Sequence, residues 1–388
     1  MSDSPTMPRR LALVAGEASG DLIAAESLAH LRGQGLSLEG IGGPQLEALG
    51  MDCWEQSDAL AVRGYLEALS RLPSILAIRH RLLRRLLSDP PAVFLGVDAP
   101  DFNLGVEARL RQIGVTTVHL VSPTIWAWRP ERIKAIAQAV DHMLCLFPFE
   151  PDWYRGTRVH AEFVGHPLAD KIEFDQDPLA AKRALGIPTQ RPLLAVMPGS
   201  RQSEIRWVAP SFLLAASEMA RHFEVYIPAA SASVAQAIRR LPAWGPAEQS
   251  GVRMLLPDAR PGRPISHLLL EAADLVLVAS GTATLEAALA GRPMVIGYRV
   301  PRTTHWLMRR RAQVRHVGLP NLLLKRDVVP ECLQDACTPV QLLDALRGVY
   351  ESPERLRQMK SGFAQIHQAL RQSAAARVGN RLSELITR

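Results

Sequence analysis

The chain has 388 residues, 47% hydrophobic and 21% charged, with a formal net charge of +7 from 45 basic and 38 acidic side chains. No apolar run reaches the roughly 18 residues that cross a bilayer, and Cys53, Cys145, Cys332 and Cys337 lack zinc-ligand or Cys-x-x-Cys spacing, so they read as reduced structural thiols and no metal site is indicated. The length exceeds one ordinary core, predicting two domains of roughly 150–200 residues, and the charge favours an anionic partner: nucleic acid, an anionic membrane surface or a phosphorylated substrate.

The first strand, "RLALVAG", follows a short polar start and is soon interrupted by Glu17 and Asp21, which argues against a secretory leader and for a cytosolic protein. It runs into "AGEASGD". Gly16 and Gly20 allow a ligand close to the backbone, Ser19 or Asp21 can cap the helix expected from Gly20 to about Leu31, and Glu17 suits sugar hydroxyls better than phosphate.

Next comes "RLPSILAIRHRLLRRLL", residues 71–87. On a helical wheel Ile75, Ile78, Leu82 and Leu86 form one stripe, with Leu72, Leu76, Leu83 and Leu87 beside it and Arg81, Arg84 and Arg85 flanking. An apolar arc this wide with arginines at its margins fits an interfacial helix on anionic lipid, or else a helix buried between domains. A second basic and apolar cluster, "HWLMRRRAQVRH" (305–316), favours lipid over nucleic acid in the same way.

"FLGVDAPDFN" ends a strand on two aspartates, Asp98 and Asp101, around Pro100. A carboxylate there can be a catalytic base, a helix cap or a turn residue; the expected helix runs from Phe102 to Gln112, with Asp101 as its cap. After "TTVHLVS" the cluster "SPTIWAWRPER" is either a core corner or the lining of an acceptor site, while His119 and His166 read as structural.

Strand and helix alternate throughout this half, the rhythm of a parallel sheet. It pauses between Gly165 and Pro192, where a domain connection is expected. The rhythm then resumes with "PLLAVMPGSR", "FEVYIPA", "VRMLLP", "ADLVLVASGTATLEAALAG" and "PMVIGY". Two doubly wound domains with a cleft between them follow, with ligands at the carboxyl ends of the strands.

Two loops of the second half suit an anion. "MPGSR" places Gly199, Ser200 and Arg201 at a strand end, and Arg201 can fork onto phosphate oxygens. "ASGTATLEAAL" runs a strand through Ser280, Gly281 and Thr282 into a helix, offering unpaired N–H groups, the positive end of the helix dipole and the hydroxyls of Ser280, Thr282 and Thr284. Glu286, one turn on, can accept from a pair of sugar hydroxyls, so a ribose beside a diphosphate satisfies the loop. Walker and dinucleotide fingerprints are absent. Asn321 in "GLPNLLL" either reaches a ligand or closes a turn, and after Pro353 the chain is helical and charged with no further strand.

In this order, "LVAGEASGD", "GVDAPDFN", "SPTIWAWR", "MPGSR", "ASGTATLEAAL" and "LPNLLL" resemble the lipid-A-disaccharide synthase family over nearly the whole chain. The resemblance implies an α/β protein of GT-B architecture: two doubly wound Rossmann-like domains facing a central cleft, with a C-terminal helical tail. The expected boundaries are an acceptor-binding, membrane-facing domain over 1–170, a UDP-sugar-binding domain over 171–352, and helices over 353–388 that pack back on the first domain.

The implied reaction is an inverting, metal-independent transfer with no cofactor. UDP-2,3-diacylglucosamine donates its sugar to 2,3-diacylglucosamine 1-phosphate, giving the β-1,6-linked lipid A disaccharide 1-phosphate and UDP. Within the resemblance, Asp98 is the base, with Asp101 as the reverse assignment. Glu17 and Ser19 serve the first domain's substrate, the Gly199–Arg201 and Ser280–Glu286 loops serve the donor, and Asn321 is a further substrate-binding residue. A peripheral protein on the cytoplasmic face of the inner membrane, touching anionic lipid through Leu72, Leu76, Leu83, Arg84, Arg85 and Leu87, is expected, with no nucleic acid partner. A homodimer exchanging the helical tail is compatible with this reading. The alternatives are another UDP-sugar enzyme of the same architecture and a non-catalytic, membrane-associated nucleotide-sugar binder.

Overall fold

All strand pairs of the computed structural model run parallel; it describes residues 9–31, 33, 35–60, 65–257, 264–305 and 316–387. The first unit comprises Met1–Asp170 and Leu370–Arg388, the second Lys171–Ala369.

The sheet of the first unit contains β1 (Arg9–Ala15), β2 (Leu36–Gly42), β3 (Asp52–Gln56), β4 (Val93–Val97), β5 (Thr116–Leu120), β6 (His142–Cys145) and β7 (His160–Phe163), in the order β3-β2-β1-β4-β5-β6-β7. Helices cover both faces, which is why β1 and β4 read as unbroken apolar runs: Leu11 to Ala15 and Val93 to Val97 are buried along their whole length. Each large side chain there, such as Leu95, contributes about 1.5–3 kcal/mol of burial. One core lies against Leu13, Leu28 and Leu95, and the other against Ile41, Phe94 and Val106.

The second unit repeats the plan with β8 (Leu193–Met197), β9 (Glu224–Pro228), β10 (Val252–Leu255), β11 (Leu275–Ala279), β12 (Met294–Tyr298) and β13 (Glu331–Leu333), ordered β10-β9-β8-β11-β12-β13. In each sheet the winding direction reverses once, between β1 and β4 and between β8 and β11. Doubly wound sheets bind ligands at this reversal, beyond the strand ends.

Three expectations are corrected. The helix after β4 spans Pro100–Gln112 and its N-cap is Ala99, so Pro100 opens the helix, where its fixed φ and missing N–H suit the first position, and Asp101 does not cap it. Asp21 does not cap its own helix, Ala18–Ala29, whose N-cap is Glu17. Its buried carboxylate instead accepts the amides of Gly43 (2.7 Å), Gln45 (2.9 Å) and Leu46 (3.3 Å), closing the start of the helix Pro44–Ala48.

The helices after Pro353 also part company. Pro353–Leu370 belongs chiefly to the second unit, where Phe363 is fully buried and His367 Nε2 donates to the Ile172 carbonyl at 2.8 Å. Ala374–Thr387 packs on the helix Ala18–Ala29 of the first unit, close enough that a Cβ on Gly379 would stand 2.8 Å from the Ser27 carbonyl oxygen. The apolar stripe of this last helix (Val378, Leu382, Leu385, Ile386) is the reason it docks there.

Candidate functional site

In the second unit the loops after β8 and β11 line a cavity of about 580 Å³ at the reversal of the sheet. Gly199, Ser200, Arg201, Ser280, Gly281, Thr282 and Glu286 all border it. Gly199 has φ +108, and a Cβ there would meet Glu204 Oε2 at 2.3 Å, so only glycine fits. Gly281, at φ +146, turns the chain into the helix Thr282–Leu289, whose first amides and positive dipole end face the cavity rim.

Sequence reasoning missed Glu204. Its carboxylate accepts the amides of Ser200 (3.0 Å) and Arg201 (3.2 Å) and lies 3.3 Å from the Arg201 guanidinium, whose side chain is otherwise largely exposed. The signal was present as the Arg-x-x-Glu spacing, which places a carboxylate at the third helical position of Gln202–Trp207. His267, also outside the expected set, has Nε2 3.7 Å from Glu286 Oε2.

Two expected ligand residues face elsewhere. Thr284 is fully buried and its hydroxyl donates to the Gly281 carbonyl at 2.8 Å, because a threonine three residues after the N-cap folds back onto its own turn. Asn321 is 1% exposed and fully engaged: Nδ2 donates to the Val329 carbonyl and Glu331 Oε1, both at 2.8 Å, and Oδ1 accepts the amides of Val328 (2.9 Å) and Val329 (2.8 Å). Glu331 also takes the amides of Val317 and Gly318, and the Ser280 hydroxyl donates to the Val317 carbonyl at 3.1 Å, so Asn321 shapes the segment that backs the cavity loop.

In the first unit, the loops after β1 and β4 meet at that sheet's reversal. A Cβ on Gly16 would stand 3.0 Å from the Ala99 Cβ. Glu17, the N-cap, and Ser19, in the first turn of Ala18–Ala29, are exposed, and Asp98 is half-buried on the loop after β4. The Asp98 amide donates to the Leu120 carbonyl at 2.9 Å, while its carboxylate has no partner among the described residues. The exposed Asp101 carboxylate is ion-paired with Arg132.

The tryptophan cluster is a core corner at Trp126. Its ring is buried edge-on to Phe149 (centroids 5.3 Å apart), and its Nε1–H donates to Glu150 at 3.2 Å. His119 is fully buried against Glu107, and burial pushes the His166 imidazole down to about 4.

The helix Tyr65–Ser88 divides its apolar residues between two environments. Ile78, Leu82 and Leu86 are buried in the core, with Ile75 and Leu83 packed against it, while Leu72, Leu76 and Leu87 are exposed. The expected outward arc is therefore narrower, and Leu83 leaves it. Arg85 stacks over Trp54 at 3.9 Å and reaches Asp52 at 3.4 Å, Arg81 pairs with Glu55, and Arg84 sits 3.0 Å from His80. Of the second basic cluster, residues 306–315 lie outside the described residues. Among the described residues no helix is long and apolar enough to cross a membrane, and no group of three His, Cys, Asp or Glu could hold a metal ion.

The fold is shared with solved structures of low sequence identity. A UDP-GlcNAc 2-epimerase from Neisseria meningitidis, bound to UDP-GlcNAc, superposes with a TM-score of 0.64 at 11% identity, covering 97% of this chain and 100% of that one. MurG from Acinetobacter baumannii gives 0.53 at 13% identity, covering 98% and 99%. In sequence, the chain is 46% identical over 386 residues to a lipid-A-disaccharide synthase of Paraburkholderia phytofirmans, covering 98% of this chain and 97% of the relative. It is 43% identical over 381 residues to that of Chromobacterium violaceum, covering 97% of each. The model of the lipid-A-disaccharide synthetase family matches residues 11–383. With both doubly wound sheets in place and the match running almost end to end, the chain belongs to the lipid-A-disaccharide synthetase family, as a glycosyltransferase of GT-B fold acting in lipid A biosynthesis.

Proposed function

We propose that this chain transfers the diacylglucosamine unit of UDP-2,3-diacylglucosamine to the 6-hydroxyl of 2,3-diacylglucosamine 1-phosphate, forming the β-1,6-linked disaccharide 1-phosphate and releasing UDP. The observation that carries the donor assignment is the cavity at the sheet reversal of the second unit, where Ser200, Arg201, the Ser280–Thr282 turn and Glu286 converge. Arg201 and the amides at the start of the helix Thr282–Leu289 take the diphosphate, and Glu286 takes the ribose hydroxyls. Thr284 and Asn321 support the loops and do not touch the ligand.

The acceptor belongs to the first unit, with Glu17 and Ser19 at the start of the helix Ala18–Ala29, beside Asp98. Asp98 removes the proton of the acceptor hydroxyl as its oxygen attacks the anomeric carbon. The bond to the UDP oxygen breaks on the opposite face, so configuration inverts, and positive groups at the diphosphate stabilise the departing charge. Its unpartnered carboxylate supports Asp98 over Asp101, whose charge is spent on Arg132. Leu72, Leu76 and Leu87, with Arg84 beside them, rest on anionic lipid at the cytoplasmic face of the inner membrane, where both acylated substrates partition.

The test is UDP release from the two lipid substrates by wild type, Asp98→Asn and Asp101→Asn. Loss of turnover in Asp98→Asn, with calorimetric UDP affinity retained, is the expected result. Turnover within a few-fold of wild type removes Asp98 as base, and no UDP release by wild type removes the reaction.

A further inference from the structure

Asp98 and Ala99 are consecutive non-glycine residues in the left-handed region, at φ 51 and φ 43. Such a pair costs about 1–3 kcal/mol per residue and persists only where surroundings hold it. Here the hold is a side chain buried beneath the turn. Asn103 Nδ2 donates to the Asp98 carbonyl at 2.8 Å and lies 3.4 Å from the Val97 carbonyl and 3.5 Å from that of Val14. One amide thus ties the end of β4, which leads to Asp98, to the end of β1, which leads to Glu17 and the first helical turn with Ser19.

Asn103 stands in a polar cluster where apolar packing would be expected. Asn103, Glu107 and His119 are all fully buried, and Glu107 Oε1 lies 2.7 Å from His119 Nδ1. Asn103 and Glu107, one helical turn apart, both cover Gly96: a Cβ there would stand 2.1 Å from Glu107 Oε1 and 3.1 Å from Asn103 Cβ. His119 is the residue paired with Gly96 across the ladder. Asn103 Oδ1, Glu107 Oε2 and His119 Nε2 have no hydrogen-bond partner among the described residues. Each such buried group costs about 1–3 kcal/mol, so stability does not account for the cluster. Nor does helix capping, because Asn103 Oδ1, the atom that could accept a helix amide, has no partner among the described residues, and Nδ2 donates to strand-end carbonyls.

We propose that Asn103 is a positioning residue for the transfer: it fixes the Asp98 turn and locks the acceptor loops of β1 and β4 to each other, while the Glu107–His119 pair over Gly96 fixes Asn103. This rests on the assignment of Asp98 as base. A carboxylate displaced by about 1 Å loses roughly 10²-fold in rate without losing substrate affinity. The signature is therefore a fall in kcat at constant KM.

The experiment compares Asn103→Ala and the near-isosteric Asn103→Leu with Asp98→Asn, measuring kcat and KM for both lipid substrates and UDP affinity, at a temperature well below each variant's melting point. Expected are a 10- to 100-fold fall in kcat for both Asn103 variants, with KM and UDP affinity within about two-fold of wild type. A kcat per folded molecule within two-fold of wild type, accompanied only by a lower melting temperature, overturns the proposal while an inactive Asp98→Asn keeps the base assignment. Failure of both Asn103 variants to fold also overturns it, by assigning Asn103 to stability. An active Asp98→Asn removes the base assignment and the positioning role together.

Discussion

Glu204 turns back onto Ser200, its carboxylate accepting that amide at 3.0 Å. The loop proposed to hold the nucleotide thus carries its own anion against groups assigned to a phosphate. Glu204→Gln keeps the capping geometry but removes the charge, so UDP affinity is expected to rise a few-fold with the melting temperature unchanged. Arg201→Ala is expected to lower UDP affinity about ten-fold or more, the scale of a charged hydrogen bond. Calorimetry checks both, and unchanged affinity in the two variants moves the diphosphate elsewhere.

Asn321→Ala separates support from contact. The substitution strips four hydrogen bonds from buried backbone and Glu331, with an expected loss of about 2–4 kcal/mol in denaturant unfolding. UDP affinity of the folded variant is expected to stay near wild type. A selective loss of UDP binding at full stability would return Asn321 to the ligand.

The helix Tyr65–Ser88 makes a paired prediction. Leu72→Glu with Leu76→Glu places charge on exposed positions and is expected to weaken flotation with anionic vesicles while leaving stability intact. Leu83→Glu pushes charge against the core and is expected to destabilise the fold. Undiminished flotation by the folded Leu72→Glu, Leu76→Glu variant would count against the lipid surface.

Two buried groups work against each other with pH. Burial pushes the Glu150 carboxyl from 4.5 up to about 7, and the His166 imidazole from 6.5 down to about 4. The stability tied to Glu150 is present below 4.5 and lost as pH rises through 7, because the unfolded chain surrenders that proton first. The stability tied to His166 is present above 6.5 and lost as pH falls through 4. Glu150→Gln removes the first contribution alone. Across that rise in pH, wild type is expected to lose on the order of 3 kcal/mol relative to this variant; a pH-independent difference in urea unfolding would contradict it.

What the sequence made legible was whatever depends on local pattern. Unbroken apolar runs ending in Gly, Asp, Pro or Ser marked β1, β4, β8 and β11, and therefore the four loops that flank the two sheet reversals. Pairings between distant segments were hidden. Asp21 caps a helix that begins more than twenty residues away, Asn321 closes on Val329 and Glu331, and nothing in "GVDAPDFN" announces that Asn103 turns back under Asp98. The wheel of residues 71–87 shows an apolar arc but not its division, because the core takes one half only once Phe94 and Phe102 are in place.

The docking of Ala374–Thr387 on the first unit joins segments more than 370 residues apart, with Arg9 donating to the Ile386 carbonyl at 2.8 Å. Synthesis runs from the amino end, yet the core around Leu13 and Leu28 is completed by Leu382, Leu385 and Ile386, which are made only after the whole second unit. The second unit, Lys171–Ala369, is continuous in sequence and lies, along the sequence, between the two pieces of the first. On the ribosome the first unit must therefore wait, with its apolar flank uncovered, until the second unit has been made. A truncation that removes Leu382, Leu385 and Ile386 therefore acts on the domain that was started first.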